Sequence, residues 1–292
     1  MHEKNRKEKK MIKRIAFQLL GEKYTKLAIA WHQFITYLYS YLVPYKYDIN
    51  KYSDTFLVND SDINGVSTNP VDRVIYIFWT GDNEITPNRK KGIESLEKVA
   101  GIKVQLITPR NLSSYILKED PLPEAFDSLS LIHKSDYLRS YFMHYYGGGY
   151  ADIKTYFNSW VNAFDKLDAS PDAFLVGYPE VGFKGAANQG MPDGNLKTDL
   201  DKYWRLLVGN GAFICRPRTK FTEEWHQEAK RRLLHYTNDL NKHPAIDYLG
   251  KNEDYPLYWA EIQGAIFHPL CLKYHQYLLR DKALMPSFKN YR

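Results

Sequence analysis

The chain has 292 residues, of which 44% are hydrophobic, including 24 Tyr and 14 Phe. That is enough apolar surface for a sizeable core, which excludes a wholly disordered chain. Its 40 Lys and Arg against 34 Asp and Glu leave a net charge of +6. The only cysteines, Cys215 and Cys271, exclude a dense disulfide framework and fit a reducing compartment, with one bridge left open. No Cys or His group has zinc-site spacing, and there is no internal repeat or low-complexity tract.

Much of the positive excess lies in the first 26 residues, where Lys4, Arg6, Lys7, Lys9, Lys10, Lys13, Arg14, Lys23 and Lys26 face only Glu3, Glu8 and Glu22. An apolar, aromatic run from Leu27 to Val43 follows and stops at Pro44. It contains His32 and Gln33 and falls short of the roughly 20 apolar residues that span a bilayer. No small-residue cleavage site follows it. A basic helix and then an aromatic one are expected. They either lie on an anionic membrane surface through residues 1–43 or pack on, or simply precede, the main domain. Nucleic acid is not an expected partner, since no recognition motif accompanies the basic residues. The expected location is cytoplasmic, peripheral at the cytoplasmic membrane face if the segment docks. Residues 1–70 thus read as a basic, aromatic helical segment with a linker, and 71–292 as the main domain.

The run Arg73 to Trp79 is apolar on both faces, as in a buried parallel strand. Thr80-Gly81-Asp82 breaks it, a helix follows over 88–99, and Ile102 to Ile107 reads as a second strand. Strand, helix, strand predicts a βαβ unit in an α/β sheet whose ligands bind beyond the carboxyl ends of the strands. Trp79 stands at such an end, either closing the core or facing a ligand.

Ser135 to Lys154 is the most informative stretch. Leu138, Tyr141, Phe142 and Tyr145 recur at helical spacing between Ile132 and Tyr146, and Asp136 and Arg139, three apart, share a face. Gly147, Gly148 and Gly149 end the helix. One glycine suffices for a cap, so three also ask for close approach of the backbone to a ligand or to another strand. Gly149 to Ile153 then reads as a short strand carrying Asp152. Taken singly, the Asp/Arg pair reads as a solvated ion pair and the Asp as turn chemistry; together they converge with Tyr150 and Lys154 on one place.

Further strands are expected at 173–178 and 210–217, with a helix over 222–234. The glycine-rich stretch 180–198 reads either as a mobile loop beside the site or as a surface insertion. His268 ends an apolar run that starts near Trp259. Residues after Leu272 read as helix, and 282–292 as a basic tail.

Ser-Asp-x-x-Arg, an aromatic and aliphatic helix, Gly-Gly, an aromatic and then Asp-x-Lys resembles the signature of glycosyltransferase family 32 and its relatives, whose DXD region binds a nucleotide sugar. That group includes yeast-type mannosyltransferases, bacterial capsular-polysaccharide transferases and clostridial glucosylating toxin domains. The resemblance spans about 73–270 and is sharp at 135–154. It implies a GT-A-like, Rossmann-like domain with a mixed, mostly parallel sheet. The implied reaction moves a sugar from a UDP- or GDP-linked donor to a carbohydrate or lipid-linked acceptor with retention of configuration, in capsule or other surface polysaccharide synthesis. It further implies that Asp136 and Arg139 hold the donor sugar and its phosphate, that Tyr150 lies under the donor, and that Asp152 binds a divalent cation, Mn²⁺ or Mg²⁺, on the diphosphate. Trp79 and Gly81 match a Trp-x-Gly strand end that stacks on the nucleotide base. Asn210 is the candidate on the acceptor side of the sugar, and His268 a donor or metal ligand near the diphosphate. Lys154 replaces the second Asp of the pattern. That leaves three readings of the charge: a metal held by Asp152 alone, Lys154 in place of the metal, or lost catalysis. A sugar-nucleotide binder without turnover, and a basic membrane- or nucleic-acid-binding protein that retains the fold, are the alternatives to the enzyme.

Overall fold

The computed structural model describes residue 23 and residues 25–59, 69–188 and 190–289. The basic stretch at 1–22 lies outside them. The chain divides into two compact units, Met1–Lys46 and Tyr47–Arg292. In the first, α1 (25–42) is the aromatic helix expected from the sequence, and Leu27, Trp31, Phe34, Leu38 and Tyr41 are exposed along it.

The second unit is built on a six-stranded sheet. In chain order its elements are β1 (Val74–Phe78), α2 (Pro87–Val99), β2 (Lys103–Ile107), α3 (Pro109–Leu112), α4 (Leu131–Tyr145), β3 (Gly148–Ala151), α5 (Val161–Asp168), β4 (Leu175–Pro179), α6 (Asn195–Lys202), β5 (Val208–Cys215), α7 (Lys220–Lys242), α8 (Gly264–Lys273) and β6 (Leu278–Arg280). The strand order is β2-β1-β3-β5-β4-β6. β1 pairs in parallel with β2 and β3, and β4 with β6, whereas β5 is antiparallel to both its neighbours. The sheet is therefore mixed and mostly parallel, a GT-A-like, Rossmann-like arrangement, and β1-α2-β2 is the βαβ unit read from the sequence. Because only β5 is reversed, its amino end meets the carboxyl ends of the other strands.

Side chains alternate across a strand, and here the alternation separates two cores. Ile75, Ile77, Ala151, Val176 and Ile214 face Leu96 of α2, Trp160 and Phe164, all buried in one cluster. On the other face Tyr76 and Phe78 meet Phe142 of α4 with ring centres 5.0 Å apart, and Phe213 meets Phe267 of α8 at 5.0 Å. Each such buried aromatic contributes on the order of 1.5–3 kcal/mol.

Behind α4 a polar knot ties it to α7. The buried Asp120 carboxylate accepts from His226 Nε2 at 2.6 Å, from Tyr145 Oη at 2.8 Å and from Lys230. Burial pushes that carboxyl up, but the hydrogen bonds from His226, Lys230 and Tyr145 outweigh burial and hold it well below the usual range.

Four expectations need correcting. The glycine-rich stretch at 180–198 closes with the start of a helix, α6, because Leu196 and Leu200 are buried at i, i+4. The apolar run ending at His268 passes into helix α8, which carries on through Pro269. The segment after Leu272 is not one helix: past Lys273 it forms a single turn and then β6, pairing with β4 from Leu175↔Leu278. The helix expected over 222–234 runs over Lys220–Lys242. Cys215 and Cys271 are both buried free thiols, so the open bridge is not formed.

Candidate functional site

α4 is started by Ser130, whose hydroxyl accepts from the His133 backbone N–H at 3.2 Å. It ends where the N–H groups of Tyr146 and Gly147 both reach Phe142 O, at 2.8 and 3.0 Å, with Gly147 at φ +63° and Gly148 at φ +78°. The second and third glycines serve close strand packing. A Cβ on Gly148 would lie 2.9 Å from Val74 O, and one on Gly149 would lie 3.1 Å from the Trp160 ring. Of the two reasons the sequence left open for a triple glycine, approach to another strand is the one observed here. The consequence is positional: α4 reverses directly into β3, so its Asp136/Arg139 face overlies Tyr150 and Asp152.

Those residues form one network. Arg139 Nη2 lies 3.3 Å from Asp136 Oδ1 and 3.3 Å from Asp152 Oδ1. Its Nη1 donates to Asn210 O at 3.2 Å, and its guanidinium carbon sits 4.5 Å from the centre of the Tyr150 ring. Tyr150 Oη donates to Asp152 Oδ1 at 2.7 Å, and Lys154 Nζ donates to Asp152 Oδ2 at 2.8 Å. Both oxygens of Asp152 thus carry donors. Among the described residues, Arg139 Nε and Gln263 Nε2 are buried without a hydrogen-bond partner.

The two carboxyls are driven apart electrostatically. Burial would raise Asp152, but Lys154 and Arg139, with hydrogen bonds from Lys154 and Tyr150, hold it at about 2. Asp136 is pushed up to about 7 by burial and by the charge of Asp152, with Arg139 opposing. Two carboxylates sharing one guanidinium do not both ionise easily, so one keeps its proton longer.

Asn210 joins the group through its backbone carbonyl, and its side-chain Nδ2 donates to Gln263 Oε1 at 3.0 Å. Trp79 lies at the same end of the sheet, half-buried, its Nε1 donating to Asn83 O at 2.8 Å. A Cβ on Gly81 would meet Asn83 Oδ1 at 2.4 Å and Leu131 Cδ1 at 2.7 Å, so this glycine lets the β1 end turn close beneath the start of α4. His268 is not brought into the network. It is fully buried in α8, Nδ1 accepting from Ala187 N at 2.9 Å and Nε2 bonded to Val208 O at 3.2 Å, and burial lowers it to about 4. Both ring nitrogens serve the backbone. Among the described residues no three His, Cys, Asp or Glu side chains are grouped as a metal site.

Three contributors went unread in the sequence: Gln263, Tyr178 and Phe288. The signal for Tyr178 was available in Gly209-Asn210-Gly211, since glycines inside a strand mark close approach. A Cβ on Gly209 would fall 1.9 Å from the Tyr178 ring, and one on Gly211 would fall 2.9 Å from Asp152 Oδ2. Phe288 lies under Lys154, the ammonium 5.1 Å from the ring centre. It comes from the segment read only as a basic tail.

No curated protein matches the chain. The model of one family, the capsular polysaccharide synthesis proteins, matches residues 31–176, half of the chain, and the chain belongs to that family.

Proposed function

We propose that the protein is a nucleotide-sugar-dependent glycosyltransferase acting in the synthesis of capsular or another surface polysaccharide. The observation that carries this reading is the Asp136, Arg139, Tyr150, Asp152, Lys154 network at the carboxyl ends of β1 and β3, in a chain of a capsule-synthesis family. Ligands of such sheets bind at that end. A UDP- or GDP-linked hexose offers what the network recognises: hydroxyls for the carboxyls, and a diphosphate for Arg139 and Lys154.

In the transfer, the bond between the anomeric carbon and the diphosphate oxygen breaks. The acceptor hydroxyl oxygen bonds to that carbon on the same face, and its proton passes to the departing diphosphate. The products are a glycoside with retained configuration and a nucleoside diphosphate. Arg139 and Lys154 offset the charge developing on the leaving group, the largest kind of contribution such a site makes. Asp136 and Asp152 orient the sugar hydroxyls and hold Arg139 and Lys154 in place, Trp79 stacks on the base, and the Asn210 and Gln263 pair lies toward the acceptor.

Among the described residues no helix is long and apolar enough to cross a membrane. Leu27, Trp31, Phe34, Leu38 and Tyr41 recur at helical spacing and are exposed, and the sequence before them is strongly basic. These features support docking of α1 on an anionic lipid surface, where a lipid-linked acceptor would lie.

The test is release of nucleoside diphosphate from UDP- and GDP-hexoses, with and without short oligosaccharide acceptors. Turnover with at least one donor is expected, reduced at least 100-fold by Asp152→Asn in a protein that still unfolds cooperatively. Equal turnover in that variant, or donor binding with no turnover against any acceptor, would refute the enzyme reading.

A further inference from the structure

Lys154 is held in place by the fold. Past the end of β3 the chain bends around Ile153, which is buried in the core, and this bend brings the Lys154 side chain back to Asp152. The backbone at this point is pinned from α2: Arg89 donates to Ile153 O, and a Cβ on Gly92 would lie 3.1 Å from Lys154 O. Lys154 N also donates to Asp152 O at 2.7 Å. The side chain runs over Phe288, which in turn meets Tyr178 with ring centres 6.2 Å apart, and its tip reaches Asp152 Oδ2 at 2.8 Å. The Lys154 side chain is only 12% exposed. A lysine retained merely as a solvated surface charge would need none of this support.

The same geometry bears on a divalent cation. Mg²⁺ and Mn²⁺ take hard oxygen ligands, Mg²⁺ at about 2.0–2.1 Å in near-ideal octahedral geometry, and need lone pairs turned toward them. Asp152 Oδ2 already accepts from an ammonium, and Oδ1 accepts from Tyr150 and faces a guanidinium at 3.3 Å. A dication at either oxygen would stand among two fixed cations. The second carboxyl, Asp136, shares Arg139 with the first. The donor set does not suit a metal.

Resting on the donor-binding reading above, we propose that the diphosphate is neutralised by the protein itself. Lys154, together with Arg139, occupies the place a divalent metal would take, and donor binding needs no metal. Lys154 exchanges its bond to Asp152 for a phosphate oxygen when the donor enters, and the Asp152 carboxylate then remains paired with Arg139 and Tyr150.

The experiment is calorimetric titration of UDP, GDP and their hexose conjugates into the full chain, once with EDTA and once with Mn²⁺ or Mg²⁺. It is repeated on Lys154→Met, which keeps the stem over Phe288, and on Lys154→Arg. The wild type is expected to bind at least one nucleotide with the same affinity, within about twofold, in EDTA and in metal. Lys154→Met should lose at least tenfold and Lys154→Arg should recover most of that loss. Binding that requires metal in the wild type, or an unchanged affinity in Lys154→Met, overturns the proposal while leaving the donor site standing. Absence of binding by every nucleotide under both conditions overturns the donor-site reading, and this proposal with it. Thermal unfolding of each variant separates loss of a contact from loss of fold.

Discussion

Replacing Asp136 by Asn should stabilise the protein at neutral pH while damaging its site. The Asp136 side chain is 7% exposed, and its carboxyl is raised from 3.8 to about 7, burial outweighing the pull of Arg139. Its native value lies above the unfolded one. Between about pH 4 and 7 the native state therefore keeps a proton that the unfolded state has released, and stability falls as pH rises through that window and levels off above it. The full displacement corresponds to about 4 kcal/mol, and the part lying between pH 5 and pH 8 to about 2–3 kcal/mol. Asparagine keeps the shape and does not titrate, so Asp136→Asn should show no such loss. Urea unfolding followed by tryptophan fluorescence, run on both proteins at pH 5, 6, 7 and 8, measures the gap directly. It should open with pH in favour of the variant. Parallel stability curves, or a variant less stable at pH 8, would mean that pairing with Arg139 keeps Asp136 ionised in the native state, and the argument from burial would be wrong.

Gly211→Ala puts a methyl 2.9 Å from Asp152 Oδ2 and should weaken donor binding at least tenfold with a stability change under about 1 kcal/mol; unchanged affinity in calorimetry would show that Asp152 is not held where the donor needs it. Asp120→Ala strips the shared acceptor from His226, Lys230 and Tyr145 and should cost about 2–4 kcal/mol in urea unfolding, the half-exposed lysine discounting the figure; a loss under about 0.5 kcal/mol would deny the knot a structural role. Serine at the exposed positions Leu27, Trp31 and Leu38 together should reduce partition onto vesicles containing anionic lipid at least tenfold in a sedimentation assay, and equal partition would remove α1 from the membrane reading. Affinity for a nucleotide hexose, whose diphosphate does not titrate near neutrality, should fall by on the order of tenfold from pH 6 to pH 8 as Asp136 ionises, and Asp136→Asn should abolish that slope; a slope surviving in the variant would assign it to another group.

What the sequence shows of this fold is set by the range over which its signals act. β1, α2 and β2 are legible because a both-faces-apolar run and a helical period lie side by side in the chain. The turn from α4 into β3 is legible because Gly147 must adopt a positive φ and Gly148 and Gly149 must admit Val74 and Trp160. α8 is apolar on nearly every side, so it carries no period to read, and Pro269 within it disguises it further. β6 is three residues long and is defined only by its pairing with β4. His268 shows the same limit at one residue. An apolar run ending in His fits a ligand as well as it fits a core hydrogen bond, and only the partners Ala187 and Val208 decide between them.

The spacing Asp-x-x-Arg and Asp-x-Lys tells which charges meet, but not what they amount to. With Asp136 ionised, Asp136 and Asp152 balance Arg139 and Lys154 and the network is neutral; with Asp136 protonated it carries one net positive charge. Burial of the α4 face that carries Asp136, with Tyr255 Oη accepting from Ser130 N at 3.2 Å at the start of that helix, raises the carboxyl so that it changes between these states near neutral pH. A diphosphate is attracted to the second state far more than to the first. The apolar packing of α4 therefore reaches the chemistry through a proton: the residues that make the helix a good core element also bias the site toward an anion. On the proposed donor-binding reading, the built-in cation at Lys154 and a protonated Asp136 would serve the same end by different means, one adding positive charge to the network and the other withholding a negative one.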